Sequence, residues 1–450
     1  MPSLARVSII TPANLDYGVI EKMQNSRPGG IFHGWFIVST GAFVTMLAMG
    51  AIGGFGVFVL PMSEEFNWSR STISLAVAIS SLIGGVAQPV IGRIFDQLGG
   101  RNLILVGVTV MGAGTLVLMF TNHIVFFIIV FGIIISLGRS AGAMNTMSVL
   151  VSRWFQRRRS FAIALISVGG SLGGLLIVPL IAFAIPMIGW RNTWLMLGLM
   201  ILVLGLPLVY SFIRNDPRDM GLLPDGDSPT PDVEGGPARK AKEGPLQVAD
   251  WKEAFRSWPM WQLLGAYTVC GITTTMMSAH YVPYAIEEGF SPSVAASAFG
   301  ALSFMNLLGV LSIGFLGDRF GRKNLLTFVY AVRGLGFAIL LLAPGAWGLF
   351  GFAIVGGMAW LATVPLTTAL TADVYGLRNI GVLSGLVFMA HQIGGAASIQ
   401  IAGVLRDVTG NYDLPFALAG VTLAFAAVVS FSIKERTYSS RYQVAEAGAD

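Results

Sequence analysis

Charge is scarce in this chain of 450 residues. Only 11% of the residues are Asp, Glu, Lys or Arg, whereas 54% are hydrophobic and the mean hydropathy is +0.72. A soluble core of this size does not need so much apolar surface, so the composition indicates a membrane protein with several spans. The 56 glycines fit that class, because small residues let membrane helices approach closely.

Cysteine is nearly absent as well. The single Cys270 excludes an intramolecular disulfide framework, has no zinc-ligand spacing and is expected to be a packing residue. The sequence also lacks a Ser-His-Asp set, a phosphate-cradling loop and a metal-ligand cluster. We therefore expect no catalytic residues, no metal, no cofactor and no nucleic-acid partner.

Long polar segments are few, and apolar stretches of spanning length fill the rest. Each stretch reaches the ~20 residues that a helix needs to cross a ~30 Å hydrocarbon layer. The first six are 31–59, 72–95, 102–121, 124–152, 160–187 and 191–213. The second six are 258–286, 293–317, 324–343, 346–372, 379–405 and 412–433. Because nothing alternates as barrel strands do, we predict an all-α membrane protein of twelve transmembrane helices in two six-helix bundles.

The polar segments set the predicted domain boundaries. We expect an N-terminal tail, a first bundle, a connecting loop rich in Pro, Gly and charge, a second bundle and a C-terminal tail. Their ranges are 1–30, 31–213, 214–257, 258–435 and 436–450. An interfacial helix near Trp251–Phe255 is one possibility inside the loop.

The basic residues give an orientation. If the N-terminus is cytoplasmic, 23 of the 28 Lys and Arg residues fall on the cytoplasmic side and three fall outside. The two others, Arg139 and Arg333, lie inside spans. This bias predicts a protein of the cytoplasmic membrane with both termini in the cytoplasm.

A charged turn occurs twice. GFLGDRFGRK at 314–323 follows the second span of the second half, and GRIFDQLGGR at 92–101 follows the second span of the first half. Gly189-Trp190-Arg191 and Gly410-Asn411-Tyr412 repeat at nearly the same offset. A duplication of six spans explains these matches, and it predicts a site between two halves at mid-depth.

The second turn resembles the loop signature of the major facilitator superfamily, Gly-x-x-x-Asp-Arg-x-Gly-Arg-Lys. The matching residues are Gly314, Asp318, Arg319, Gly321, Arg322 and Lys323, and the first turn keeps Gly92, Asp96, Gly99 and Arg101. The resemblance implies that both turns act in gating and hold the cytoplasmic ends together. Either aspartate is suited to meet a helix N-terminus or an arginine, in a contact that breaks when that face opens.

Further stretches resemble the bacterial monocarboxylate-transporter branch of that superfamily over nearly the whole chain. They are HGW (33–35), FGVFVLPMSEEFNWSRSTIS (55–74), RWFQRRRSFAIALISVGGSLGG (153–174), GLLPDG (221–226), HYVPYAIEEGFSPSVAA (280–296) and GVLRDVTGNYDLPF (403–416). Members that carry lactate-like acids have an arginine in span eight, where this chain has Val310. Animal relatives have a span-one lysine, where it has Gly53 and Gly54.

Arg139 is the leading candidate for a substrate site. It stands near the middle of span four, too far from either end to reach water, and no acid stands at a matching depth in any span. A guanidinium there is suited to paired hydrogen bonds with a carboxylate. A structural ion pair is the alternative. Asn145 from the same span and Asn306 from span eight are weaker candidates.

His391 in span eleven is the second candidate. The resemblance places it where an oxalate/formate-exchanger relative has a lysine. With a reference pKa of ~6.5, a histidine there suits proton coupling, and Gln392 beside it is a neutral partner. A buried neutral histidine that is hydrogen-bonded to a helix carbonyl is an equally good interpretation of His391. His280, near the outer end of span seven, is either a substrate contact or part of an interfacial anchor, and Arg333 is expected to be structural.

We therefore expect a secondary transporter that moves a small organic anion, a monocarboxylate, by proton-coupled alternating access. Its partners are the anion, protons and the bilayer, and a monomer is expected. The alternative is an exporter of amphipathic or aromatic compounds with Phe304, Met305, Phe388 and Met389 as its apolar lining. A receptor without turnover is disfavoured, because no sizeable soluble domain is encoded.

Overall fold

A computed structural model of the chain describes residues 31–227, 245–440 and 442. The predicted N-terminal tail, part of the connecting loop and most of the predicted C-terminal tail lie outside these residues. Helices joined by turns make up the described residues, with no strand among them. The prediction of an all-α fold is therefore confirmed.

The helices are numbered α1 to α12. In the first half they are α1 (His33–Phe66), α2 (Arg70–Val86 continued by Gln88–Leu98), α3 (Gly100–Phe120), α4 (Ile124–Trp154), α5 (159–188) and α6 (190–212). In the second half they are α7 (Trp258–Glu287), α8 (Pro292–Phe320), α9 (Arg322–Leu342), α10 (Gly345–Tyr375), α11 (Ile380–Thr409) and α12 (Asp413–Phe431).

A count of spans from helix length and composition alone gives fewer than the predicted twelve. Among the described residues, nine helical stretches are long and apolar enough to cross a membrane, and the two parts of α2, bent by 43°, make a tenth. One of the nine is the 54-residue stretch Arg159–Phe212, which turns at Gly189, where φ is 80° and ψ is 159°. That stretch comprises α5 and α6, and α7 has 30 residues, so the fold is consistent with twelve spans.

Each half has its own apolar core. One core consists almost entirely of residues from α1–α6 and the other of residues from α7–α12. The halves meet along two helix pairs, α2 with α11 and α5 with α8. The two charged turns lie at the same end of the molecule, which we call the turn end.

The two charged turns have the same backbone design. Gly99 and Gly321 have φ values of 84° and 95°, a region that favours glycine, and each precedes a helix. The carboxamide of Asn215, just after α6, accepts a hydrogen bond of 2.7 Å from the backbone N–H of Arg101. Glu435, just after α12, accepts bonds of 3.0 and 2.9 Å from the N–H groups of Arg322 and Lys323. The repeat therefore extends to the groups that cap α3 and α9.

The connecting loop lies against the turn end. A short 3₁₀ helix, Trp251–Arg256, begins at Asp250, whose carboxylate accepts from the Lys252 N–H at 3.0 Å. Asp225 in the GLLPDG stretch accepts from the N–H groups of Gln156 and Arg157, ahead of α5, at 3.0 and 2.9 Å. The loop thus satisfies backbone donors that the helices leave unpaired at this end.

Candidate functional site

The two repeated aspartates bridge the halves. Asp96 of α2 accepts hydrogen bonds of 2.9 Å from the N–H groups of Gly381 and Val382 in the first turn of α11. Asp318 of α8 accepts bonds of 2.9 Å from Ser160 and Phe161 in the first turn of α5. A carboxylate at a helix N-terminus meets free donors and the positive end of the helix dipole. Each carboxylate therefore holds a helix of the opposite half.

Glycines bring the same helix pairs close together. A Cβ on Gly92 would lie 2.1 Å from the carbonyl oxygen of Gly381, and one on Gly314 would lie 2.3 Å from Cβ of Ala164. Neither separation is possible without moving backbone, so both positions require glycine for this packing. The turn end is therefore closed by direct helix contact.

A buried ion cluster lies between the two aspartate bridges. Asp373, near the end of α10, pairs with Arg159 of α5 at 2.5 Å and with Arg322 of the second charged turn. All three side chains are buried, and Arg322 also donates to the Ser160 hydroxyl at 2.9 Å. The sequence alone did not single out Asp373. The signal was its position 220 residues after Arg153, which lies 3.8 Å from Asp96 in the first half.

The remaining turn residues are more peripheral. The Arg101 guanidinium donates to the carbonyl oxygen of Tyr210 at 3.1 Å, and that of Arg319 lies over the Phe320 ring. The Lys323 ammonium lies 4.7 Å from the centre of the Phe431 ring.

Arg139 points into the first half. Leu137 is exposed and marks the outer side of α4. Arg139 follows two residues later, so its side chain is rotated about 200° around the helix axis from that of Leu137. Its guanidinium lies beside Gly84 of α2, where a Cβ would be 3.0 Å from Nη2. No acid among the described residues pairs with Arg139, and its Nε has no hydrogen-bond partner among them. The cation therefore has no counterion among these residues.

A break in α4 follows Arg139. The helical segment ends at Gly142, because Ala143 is extended (φ −118°, ψ −152°), and this frees the carbonyl of Ser140. Gln88 of α2 donates to that carbonyl at 3.3 Å and accepts from the Asn145 amide at 2.8 Å. Asn145 is thus brought to the α2–α4 contact, together with Gln88, which the sequence analysis did not single out.

His391 lies in the core of the second half, and Gln392 reaches the first. The Nδ1 of His391 is 3.1 Å from Oε1 of Gln392, its Nε2 is 3.4 Å from the Thr274 hydroxyl, and Phe388 stacks on its ring. Gln392 in turn donates to the carbonyl of Ser81 in α2 at 3.4 Å. A hydrogen-bonded path therefore runs from His391 to the contact between the halves.

Two adjacent glycines of α2 place these groups at one level. Gly84 faces Arg139, and a Cβ on Gly85 would lie 2.5 Å from Cβ of Gln392. Arg139 and Gln392 therefore lie on different sides of α2 at the same height. The structure records no direct contact between Arg139 and His391.

Asn306 is engaged on the other helix pair. Its amide donates to the Ser171 hydroxyl of α5 at 3.0 Å, and its carbonyl accepts from the Leu361 N–H at 2.9 Å. Residues 359–362 interrupt α10, so Asn306 both joins the halves and caps that break. Its assignment to substrate binding stays a prediction.

Two other candidates have structural partners. His280 lies 3.2 Å from the Tyr412 hydroxyl and 3.1 Å from the carbonyl of Ile399, all within the second half. Arg333 donates to the carbonyls of Ala359 and Trp360 at the α10 break. Arg333 therefore has a structural role, because it pairs the backbone carbonyls that the interruption of α10 leaves free.

Phe304 lies on an exposed stripe of α8. It is exposed together with Leu308 and Phe315, which are four and eleven residues further along α8. This spacing forms one stripe, and at Phe315 the stripe lies near the turn end, where the halves are in contact. Phe304 is therefore exposed in this structure, and its assignment to an apolar lining stays a prediction.

Sequence comparison gives the family. A sequence profile described as Major Facilitator Superfamily matches residues 41–399 and 289–448. The uncharacterized MFS-type transporter YcxA of Bacillus subtilis is 27% identical, covering 88% of this chain and 94% of its own. Monocarboxylate transporter 13 of Bos taurus is 26% identical, covering 87% of each chain.

Solved structures support the same fold. The E. coli fucose:proton symporter FucP has a TM-score of 0.63 at 15% identity, covering 88% of this chain and 98% of its own. The proton:xylose symporter XylE has a TM-score of 0.69 at 14% identity, covering 91% and 98%. With two helical halves, a repeated charged turn and a matching family profile, this chain belongs to the Major Facilitator Superfamily and is a membrane transporter.

Proposed function

We propose that this transporter carries a small organic anion of the monocarboxylate class by proton-coupled alternating access across the cytoplasmic membrane. The observation that carries the proposal is the guanidinium of Arg139, deep in α4, without an acidic partner among the described residues. A cation at this depth in a membrane helix is unfavourable without a counterion, so it is retained for a ligand that brings negative charge. The similarity to the bovine monocarboxylate transporter supports this substrate class.

The contacts between the halves support an outward-open arrangement. The hydrogen bonds and ion pairs described above lie between the level of Gln392 and Asn306 and the turn end. We assign the turn end to the cytoplasm because of the excess of basic residues. Opening toward the cytoplasm then requires Asp96 and Asp318 to release their helices.

Coupling is assigned to His391. Its partner Gln392 bonds Ser81 of the opposite half, so separation or approach of α2 and α11 changes the hydrogen bonds around the imidazole. A histidine whose environment changes with conformation is suited to bind a proton on one side and release it on the other. An exporter of amphipathic or aromatic compounds stays the alternative.

The test is uptake of radiolabelled monocarboxylates into proteoliposomes under an inward proton gradient. Arg139→Gln should abolish uptake, and Arg139→Lys should retain a reduced rate, because lysine keeps the charge without the bidentate geometry. Arg191→Gln is the matched control, since Arg191 pairs with Glu65 on the surface, at the other end of the molecule. Unchanged uptake by Arg139→Gln would show that the anion site is elsewhere.

A further inference from the structure

A small cavity lies inside the first half, enclosed by α1, α3, α4 and α6. Its volume is about 10 Å³, and its walls include Arg139, Trp194, Thr115 and the apolar side chains of Ile52 and Ile135. A space of this size accommodates about one water-sized particle. A carboxylate substrate is too large for it, so the cavity needs an explanation of its own.

Two hydrogen-bond donors on its lining residues have no acceptor. Neither Nε of Arg139 nor Nε1 of Trp194 has a partner among the described residues, although both atoms are fully buried. Guanidinium and indole nitrogens are donors only. The Thr115 hydroxyl is already committed, because it donates to the Met111 carbonyl at 2.8 Å. Buried donors are nearly always paired, so these two indicate an acceptor in the cavity.

The charge decides between water and an anion. A water molecule would accept both hydrogen bonds but would leave the Arg139 cation uncompensated. A monatomic anion accepts without donating and supplies the missing negative charge. We propose that the cavity between Arg139 and Trp194 binds one halide-sized anion.

This site lies on a different edge of the guanidinium from the proposed substrate contact. Nη2 of Arg139 lies beside Gly84 of α2, whereas Nε of Arg139 and Nε1 of Trp194 are the donors without a partner among the described residues, and both side chains line the cavity. The anion therefore compensates Arg139 in the carrier between substrates, when no carboxylate is present. This goes beyond the proposed function, since it requires no transport of the halide.

Equilibrium binding of ³⁶Cl⁻ to the purified full-length protein in gluconate buffer tests the site. The wild-type chain should bind one chloride saturably, without added organic anion. Trp194→Phe should weaken binding at least about tenfold, because one of two donors to a charged ligand is lost. Phenylalanine keeps the ring that stacks on Phe58 at 3.9 Å, so the fold is preserved. Trp258→Phe, at an exposed tryptophan, is the control and should leave the affinity unchanged.

Bromide provides the location. In crystals of the protein soaked in bromide, the anomalous difference map should have a single peak between Arg139 and Trp194. Absence of saturable chloride binding, a peak elsewhere, or equal affinity in Trp194→Phe and wild type would each overturn the proposal. Because binding is measured without organic anion, its result does not depend on the monocarboxylate assignment, which is tested by uptake.

Discussion

Two arginines lie deep in the helices, and their surroundings differ. The donors of Arg333 are used by the Ala359 and Trp360 carbonyls, the Thr273 hydroxyl and the Cys270 sulfur. Arg139 has a buried Nε with no partner in the part of the chain that the structure describes. Sequence position gave both residues a similar depth. Only the three-dimensional neighbours separate a residue that completes the α10 break from one that is available to an anion.

At the residue scale, His391→Gln should remove the dependence of uptake on pH. Glutamine keeps a hydrogen-bonding group near Thr274 and Gln392 but takes up no proton in this range. Uptake in proteoliposomes between pH 5.5 and 8 should therefore become nearly flat, and a pH gradient should no longer drive accumulation.

His280→Gln is the control for that experiment. His280 contacts Tyr412 and Ile399, both within the second half, so its variant should keep the wild-type pH profile. A steep pH profile in His391→Gln would assign coupling to another group.

At the element scale, the helix ends were more predictable than the helix interruptions. The charged turns indicated contacts with helix N-termini, because Gly, Asp and basic residues at fixed spacing have local causes. The interruptions at Ala143 in α4 and at 359–362 in α10 left no such signal. They are stabilised by Gln88, Asn306 and Arg333, which lie far away in sequence. Tertiary hydrogen bonds, rather than local propensity, decide where these helices break.

The ion cluster at the ends of α5, α9 and α10 gives a prediction of stability. Asp373→Asn removes the only negative charge that faces both Arg159 and Arg322 in the recorded ion pairs of that cluster. Arg159 then loses its recorded ion-pair partner and Arg322 keeps only Asp318 among the recorded ones, at 3.3 Å, so the free energy of unfolding should fall by about 3–5 kcal/mol. Reversible unfolding in mixed detergent measures the change.

The matched control is Asp227→Asn. Asp227 pairs with Arg157, but both side chains are at least half exposed, so the loss should be below about 1 kcal/mol. Equal effects of the two substitutions would contradict the assignment of Asp373 as a buried counterion.

At the scale of the whole molecule, each half has an ion pair between its charged turn and its fourth helix, and the charges of the two pairs are exchanged. In the first half the acid, Asp96, is in the charged turn, and the base, Arg153, is at the end of α4. In the second half the base is in the turn and the acid at the end of α10, as Arg322 and Asp373. The duplication was visible in the sequence, but this exchange was not, because a match of like residues overlooks pairs with reversed charge.

The repeated contacts predict that the turn end must separate during every cycle. Arg93 of α2 and Asn379 before α11 belong to opposite halves and line one cleft of about 330 Å³ at that end. With cysteines at both positions, a short bifunctional thiosulfonate should join the halves and stop uptake. The wild-type chain is a suitable background, because its single Cys270 is fully buried.

Reduction of the cross-link should restore uptake, and either cysteine alone should leave uptake nearly unchanged. Substrate binding from the outer side should survive cross-linking, since the turn end is already closed in this structure. Continued uptake by the cross-linked protein would exclude a cycle in which Asp96 and Asp318 release the facing helices.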